Sequence, residues 1–197
     1  MKNQYSLSEK ISLVYSVICT KLFYKGARLI RRPFYCRGKS KFKFKSGFTT
    51  GYNCRFDLLS HENDGEKKLS FGKNCKIGDS VHIVATKNVT IGDDCLIASK
   101  VFISDTSHGE YLNSSIESSP YTIPDNRPLY SKDVVIGDKV WIGEGVSILL
   151  GVNIGNGCII GANSVVNKSI PDKCIAVGVP AKVVKIWDDK TNSWIKV

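Results

Sequence analysis

The chain has 197 residues, 42% apolar and 23% charged, a balance that suits one soluble domain plus an appendage and excludes a disordered polymer. Its formal net charge of +10 suggests a nucleic-acid binder only until the charge is located. Residues 1–45 carry twelve Lys and Arg against Glu9 alone, and the rest of the chain, with sixteen basic and seventeen acidic residues, is close to neutral and lacks any nucleic-acid motif.

The first segment, residues 1–41, reads as a helix. Ser6-Leu7-Ser8-Glu9 is a capping-box pattern. Leu7, Ile11, Val14, Tyr15, Ile18 and Leu22 recur at helical spacing as one apolar stripe, which Gly26 and Pro33 end or interrupt. One placement packs this stripe across the end or side of the body, or against a neighbouring copy. The other lays it on an anionic membrane face, because Lys21, Lys25, Arg28, Arg31 and Arg32 cluster just beyond it. The longest charge-free run there, Ile11 to Thr20, has ten residues, whereas a helical span needs about 20. With no small-residue cleavage site after it, the segment is also a poor signal peptide. A cytoplasmic protein is expected, with peripheral contact at the inner membrane face through residues 1–45 as the second option.

From about residue 42 the chain falls into hexads, and residues 42–171 are taken as one domain. The alternation Phe42, Phe44 suggests an edge strand that closes the open end. Regular hexads appear at Phe71, Ile77 and Ile83, shift by two at Ile91, and continue through Ile97 and Ile103. The pattern stops over 104–133, a loop stiffened by Pro120, Pro124 and Pro128. It restarts without a dropped step at Ile136, Ile142, Ile148, Ile154, Ile160 and Val166. Neither a helix nor a simple strand generates a period of six, but a hexapeptide solenoid does. Three hexads make one triangular coil, coils stack about 4.8 Å apart, and each inward aliphatic sits on that of the next coil. An excursion as long as 104–133 in such a repeat is usually functional or flexible. Residues 172–197 form a tail that packs on the solenoid or extends beyond it.

Seven cysteines, an odd count with no CxxC pair, point to reduced thiols in a cytosolic protein. Cys75, Cys95 and Cys158 share the fifth hexad position and Cys54 follows Gly51 at matching spacing, where free Cys serves as a small hydrophobe. If Cys75 and Cys95 stack in neighbouring coils, they also lie within disulfide range.

With the hexads goes a resemblance. Ile91-Gly92-Asp93-Asp94-Cys95-Leu96-Ile97-Ala98, then Val101-Phe102-Ile103-Ser104-Asp105-Thr106-Ser107-His108-Gly109, resembles the hexapeptide-repeat acyltransferases. So do Val140-Trp141-Ile142-Gly143 and Gly178-Val179-Pro180-Ala181-Lys182. The likeness spans roughly residues 70–186. It is nearest to the sugar O-acetyltransferases of bacterial lipopolysaccharide and polysaccharide synthesis and to the maltose and galactoside acetyltransferases. It implies an all-β fold, a left-handed parallel β-helix with a short N-terminal helical segment. The left hand comes from the resemblance alone, since ordinary crossovers favour the right.

The same resemblance implies the chemistry. His108 stands at the family's base position, where an imidazole takes a proton from a sugar hydroxyl attacking an acetyl thioester. Many relatives carry a second His where Thr106 stands here. The backbone N–H of Glu144, beside Gly143, would face the oxyanion. Trp141, Gly161, Ala162, Lys168, Lys182 and Lys185 match positions that line the acetyl-CoA groove; Trp141 has an equal reading as a strand residue covering a coil corner. Asp105 either orients His108 or is solvated. His82, with Asp57, and Arg127 are candidates for touching the acceptor, His82 being more often structural. No metal is expected, because the spacings of His61, His82 and His108 do not fit a three-histidine site. A homotrimer with sites between subunits follows, acting on a sugar or lipid-linked oligosaccharide acceptor. The alternatives are N-acetylation of an amino sugar and a non-catalytic membrane-associated scaffold.

Overall fold

Each hexad meets the same demand: one large side chain must point into a narrow triangular interior and the chain must then turn sharply. The first residue supplies the interior, as Ile97, Ile103, Ile136, Ile142, Ile148, Ile154 and Ile160 do, all fully or almost fully buried. The turn follows. Its second residue is often Gly because the next coil lies against it; a Cβ on Gly92 would stand 2.6 Å from the carbonyl carbon of Gly137. Its fourth residue takes the left-handed conformation, with φ of 57° at Asn74, 58° at Asp94, 56° at Lys139 and 57° at Asn163.

The result, in a computed structural model that describes residues 5–59, 66–111 and 118–197, is a three-sided parallel β-helix with one N-terminal helix. Successive hexads visit sheets C, A and B in turn; Val134–Ile136, Trp141–Ile142 and Ser147–Ile148 are one such coil. Register stacks like on like: Ile77, Ile97, Ile142 and Ile160 form one inward column in sheet A, and Ile91, Ile136 and Ile154 another in sheet C. The first coils are filled by Phe42, Phe48, Phe56 and Phe71, which meet mostly edge to face.

The coil stack is longer than the expected 42–171. Leu29–Ile30 and Phe34–Arg37 already pair in parallel with Thr49–Thr50 and Cys54–Leu58, inside the segment read as helical. At the other end Cys174–Val177 continues sheet A, and the tail folds back as the antiparallel strands Lys182–Asp188 and Ser193–Lys196. Both ends lack the repeated aliphatic step, so periodicity missed them.

The corners carry a polar ladder. At the C-to-A corner the turn N–H of Lys73 donates to Asp93 Oδ1 (2.8 Å), Asp93 to Asp138 (2.7 Å), Asp138 to Asn156 (2.8 Å) and Asn156 to Asp172 (2.9 Å). Each coil thus satisfies a donor of the one before it. The cysteines do the same for carbonyls: the Cys54, Cys75 and Cys95 thiols donate to Gly78, Gly92 and Gly137 at 3.1, 3.0 and 3.1 Å. All seven cysteines are free, and Cys75 and Cys95 do stack in adjacent coils. Burial pushes the Cys54 thiol up to about 11.

Helix α1, Leu7–Phe23, closes the N-terminal end of the prism with its capping box formed as expected. It packs through Ser16, Cys19 and Thr20, not through the apolar stripe. Strand Leu29–Ile30 has a free edge that must be satisfied. Ile30 N–H donates to Thr20 Oγ1 (2.9 Å) and Arg32 N–H to Ser16 Oγ (3.1 Å). Small hydroxyl side chains allow the close approach that these bonds need. Among the described residues no helix is long and apolar enough to cross a membrane.

Candidate active site

His108 lies where the chain leaves the prism at the B-to-C edge, in Thr106–His108, a strand antiparallel to Leu129–Ser131. The loop root is fixed by Asp105. Its fully buried carboxylate accepts the backbone N–H groups of Thr86 (2.9 Å), Lys87 (2.7 Å) and Asn88 (2.7 Å), the corner of the preceding coil. Burial raises the Asp105 carboxyl, and those donors oppose the shift. This corrects both expectations for Asp105: it is neither solvated nor free to orient the imidazole, because its oxygens are already committed.

The backbone of His108 is held from the other side. Tyr111 Oη donates to the His108 carbonyl (2.7 Å), and Arg127 Nη1 donates to Tyr111 Oη (2.8 Å). The other Arg127 nitrogens bind the Thr122 carbonyl, at 3.1 Å from Nε and 2.9 Å from Nη2. Arg127 is therefore a clasp within the loop and not a group pointed at an acceptor. The His108 side chain itself is exposed. Tyr111 was missed in the sequence, since a hydroxyl three residues past the histidine carries no signal until the loop folds back.

Of the residues expected on the donor side, Gly143, Glu144, Gly161 and Ala162 lie at the A-to-B edge. Gly143 abuts Ala162 so closely that a Cβ there would lie 2.6 Å from the Ala162 nitrogen. At this edge the polar ladder stops. Tyr52 N–H donates to Asp79 (2.7 Å) and Asp79 N–H to Ser99 Oγ (3.0 Å), but two coils further on the residue above Glu144 is Ala162, which has no acceptor. Among the described residues the Glu144 N–H has no hydrogen-bond partner, while the Glu144 carboxylate pairs with exposed Lys100 at 3.1 Å. An alanine where the other corner carries Asp or Asn was a legible sign of this open donor.

Trp141 lies on the outer face of sheet A, in register with Leu96 before it and Ile159 after it. Leu96 and Trp141 are each about half exposed, at 49% and 51%. The row continues through Ile175 to Lys185, with Lys182 opposite Val177 on the same strand pair. Lys168 is not brought to this face; it follows Val165–Val166 and leaves sheet B at the next edge. None of the three lysines has an ion-pair partner among the described residues.

His82 belongs to a separate cluster on sheet B. Its Nε2 lies 3.1 Å from Asp57 Oδ2, which also receives Arg55 Nε at 2.7 Å, and Arg37 Nε stands 3.6 Å from Oδ1. Burial works to raise the Asp57 carboxyl, but the hydrogen bonds from Arg55 and His82 and the two arginine charges outweigh it, so the net shift is downward. A cavity of about 650 Å³ opens beside this cluster, lined by Phe34, Tyr35, Arg37, Asn53, Arg55 and Asp57. His61 lies outside the described residues.

The model of bacterial transferase hexapeptides, six repeats, matches residues 133–168. Over 196 residues the chain is 44% identical to WbbJ of Escherichia coli K12, provisionally named a lipopolysaccharide biosynthesis O-acetyl transferase; the match spans 100% of this chain and 97% of WbbJ. A galactoside acetyltransferase solved in complex with coenzyme A is 32% identical, with a TM-score of 0.55 over 76% of this chain and 72% of that one. AntD, an N-acyltransferase from Bacillus cereus, superposes with a TM-score of 0.69 over 97% of this chain and 93% of its own, but at 19% identity that likeness shows the fold alone. The end-to-end match to WbbJ, joined to the coil stack and the repeat model, places this chain in the hexapeptide-repeat family of left-handed β-helix acetyltransferases.

Proposed function

We propose that this protein carries an acetyl group from acetyl-CoA to a sugar hydroxyl of a lipopolysaccharide, O-antigen or capsular polysaccharide precursor, with His108 as general base. One observation carries the reading: an exposed imidazole on a pinned backbone and an unpaired N–H at a glycine corner occupy the two opposite edges of sheet B. In a homotrimer packed side by side, the His108 edge of one copy would face the Glu144 edge of the next, with the sites in the seams.

The residues present suit the donor. The Leu96, Trp141 and Ile159 row offers an apolar wall for a pantetheine arm, the small Gly161-Ala162 step leaves room at the edge, and Lys182 and Lys185 offer unpaired charge for phosphates. His108 accepts the proton of the acceptor hydroxyl as its oxygen attacks, then returns it to the leaving thiolate. The Glu144 N–H meets the negative charge that develops on the carbonyl oxygen. Asp105, Tyr111 and Arg127 act as positioning residues for the loop. The Arg37, Arg55, Asp57 and His82 cluster, with its adjoining cavity, supplies hydrogen-bonding and cationic groups for an acceptor carrying acidic sugars or a phosphate linkage. This reading places the reaction in the cytoplasm, at the inner membrane face when the acceptor is lipid-linked.

Mass spectrometry of surface polysaccharide from strains with and without this protein tests the assignment. An acetyl group present only with the protein and removed by mild alkali is the expected ester. An alkali-resistant acetyl would mean amide formation on an amino sugar. Failure of the purified protein to bind acetyl-CoA by calorimetry would leave only a scaffold.

A further inference from the structure

Helix α1 is amphipathic the wrong way round for a helix that serves only the fold. Its buried side consists of Ser16, Cys19 and Thr20, whereas Leu7, Ile11, Val14, Tyr15, Ile18 and Leu22 are 52–75% exposed. On a helical wheel Leu7, Ile11, Val14 and Ile18 lie within about 40° of the point opposite Ser16, and Leu22 and Tyr15 extend the stripe along one flank. Thr20 and Ser16 reach the free edge of Leu29–Ile30, whose other edge pairs with Thr49–Thr50. The helix therefore lies across the end of the prism, and its apolar side points along the prism axis, away from the protein.

Charge identifies what covers that face. Exposed Lys10 and Lys21 flank the stripe on the helix, and exposed Lys25 and Arg28 follow it. Glu9 is the one acidic residue in the first 45, and its carboxylate is held by the N–H of Ser6 at 2.7 Å. A second copy seated face to face would set these cations against their own kind. An anionic bilayer surface meets both the apolar stripe and its basic rim. A helix of 17 residues is about 25 Å long at 1.5 Å per residue, enough to lie in the interface but not to span it.

We propose that α1 is a surface anchor that seats the N-terminal end of the prism on an anionic membrane. One further consequence rests on the homotrimer reading: with prism axes parallel, the three helices face the same way, so one assembly binds through three anchors at once and gains avidity. The anchor would bring the seams close to an acceptor carried by lipid. The docking of a single helix does not depend on that assembly.

The test is flotation of the full-length protein with vesicles of phosphatidylethanolamine and phosphatidylglycerol, against phosphatidylcholine alone, without acetyl-CoA. The wild type should float with the anionic vesicles and be released as salt rises. The double variant Ile11→Ser, Ile18→Ser should lower partitioning at least about tenfold, with unchanged melting temperature and oligomeric mass. Lys10→Gln with Lys21→Gln should weaken binding to anionic vesicles by roughly fivefold per charge. No flotation of the wild type would overturn the proposal. So would a drop in oligomeric mass of the serine variant, which would make the face a subunit contact. Because binding is scored without the donor, either result leaves the transfer chemistry to be judged on its own.

Discussion

The coil stack and α1 are both amphipathic, and they use their apolar residues in opposite ways. In the coils every first-position aliphatic is buried, because the turn on either side leaves the inward direction no other occupant. In α1 the aliphatics face out, and the helix is held by two hydroxyls that satisfy a strand edge. An apolar stripe therefore reports a surface to be covered without saying which body covers it. In the prism the fold answers that question; at α1 the unmet hydrogen bonds of Leu29–Ile30 decide it.

Substitution should separate the two regions cleanly. Phe56→Ala, at a fully buried ring packed against Phe34, Phe42 and Phe71, should cost about 3–5 kcal/mol in denaturant unfolding. Ile18→Ala, on the outer face of α1, should stay within about 0.5 kcal/mol. Equal losses would mean that the stripe is packed after all.

The corner ladder gives the next contrast. Ala162→Asp should extend to the A-to-B edge what Asp93, Asp138 and Asn156 do at the other, pairing the Glu144 N–H. Stability should hold while kcat falls about a hundredfold, as when one oxyanion donor is removed. Calorimetry with coenzyme A separates this from loss of donor binding. An unchanged kcat in a variant whose introduced carboxylate is seen on that N–H would remove Glu144 from the mechanism.

Smaller effects sharpen the picture at the N-terminal end. Thr20→Val keeps the shape but leaves the buried Ile30 N–H unpaired, and should cost about 1–3 kcal/mol in unfolding free energy. Asp57, with its carboxyl held below the ordinary value of 3.8, lends stability that is complete above that value and fades as pH falls through the lower folded one. The gap between wild type and Asp57→Asn should therefore close below about pH 4. At neutral pH it should be no more than about 1 kcal/mol, since the arginine partners are largely exposed.

The period of six was enough for the prism, and the motif around Ser104 and His108 was enough to single out the loop. What periodicity lacks is any account of polar groups. Asp105 became structural only when three N–H groups from the preceding coil converged on it. Arg127 likewise turned inward once Tyr111 stood beside it. The strands at Leu29–Ile30 and Cys174–Val177 belong to the stack by register, with no repeated Ile to announce them. The cysteines, read as small hydrophobes, also serve as donors to glycine carbonyls in the next coil.

In the proposed reaction one imidazole, that of His108, does the proton transfer. The most direct measurement is steady-state acetyl transfer by His108→Ala, with its coenzyme A affinity and oligomeric mass determined on the same sample. There kcat should fall at least about a hundredfold while both controls stay at the wild-type value. Turnover at the wild-type rate in that folded variant would contradict it.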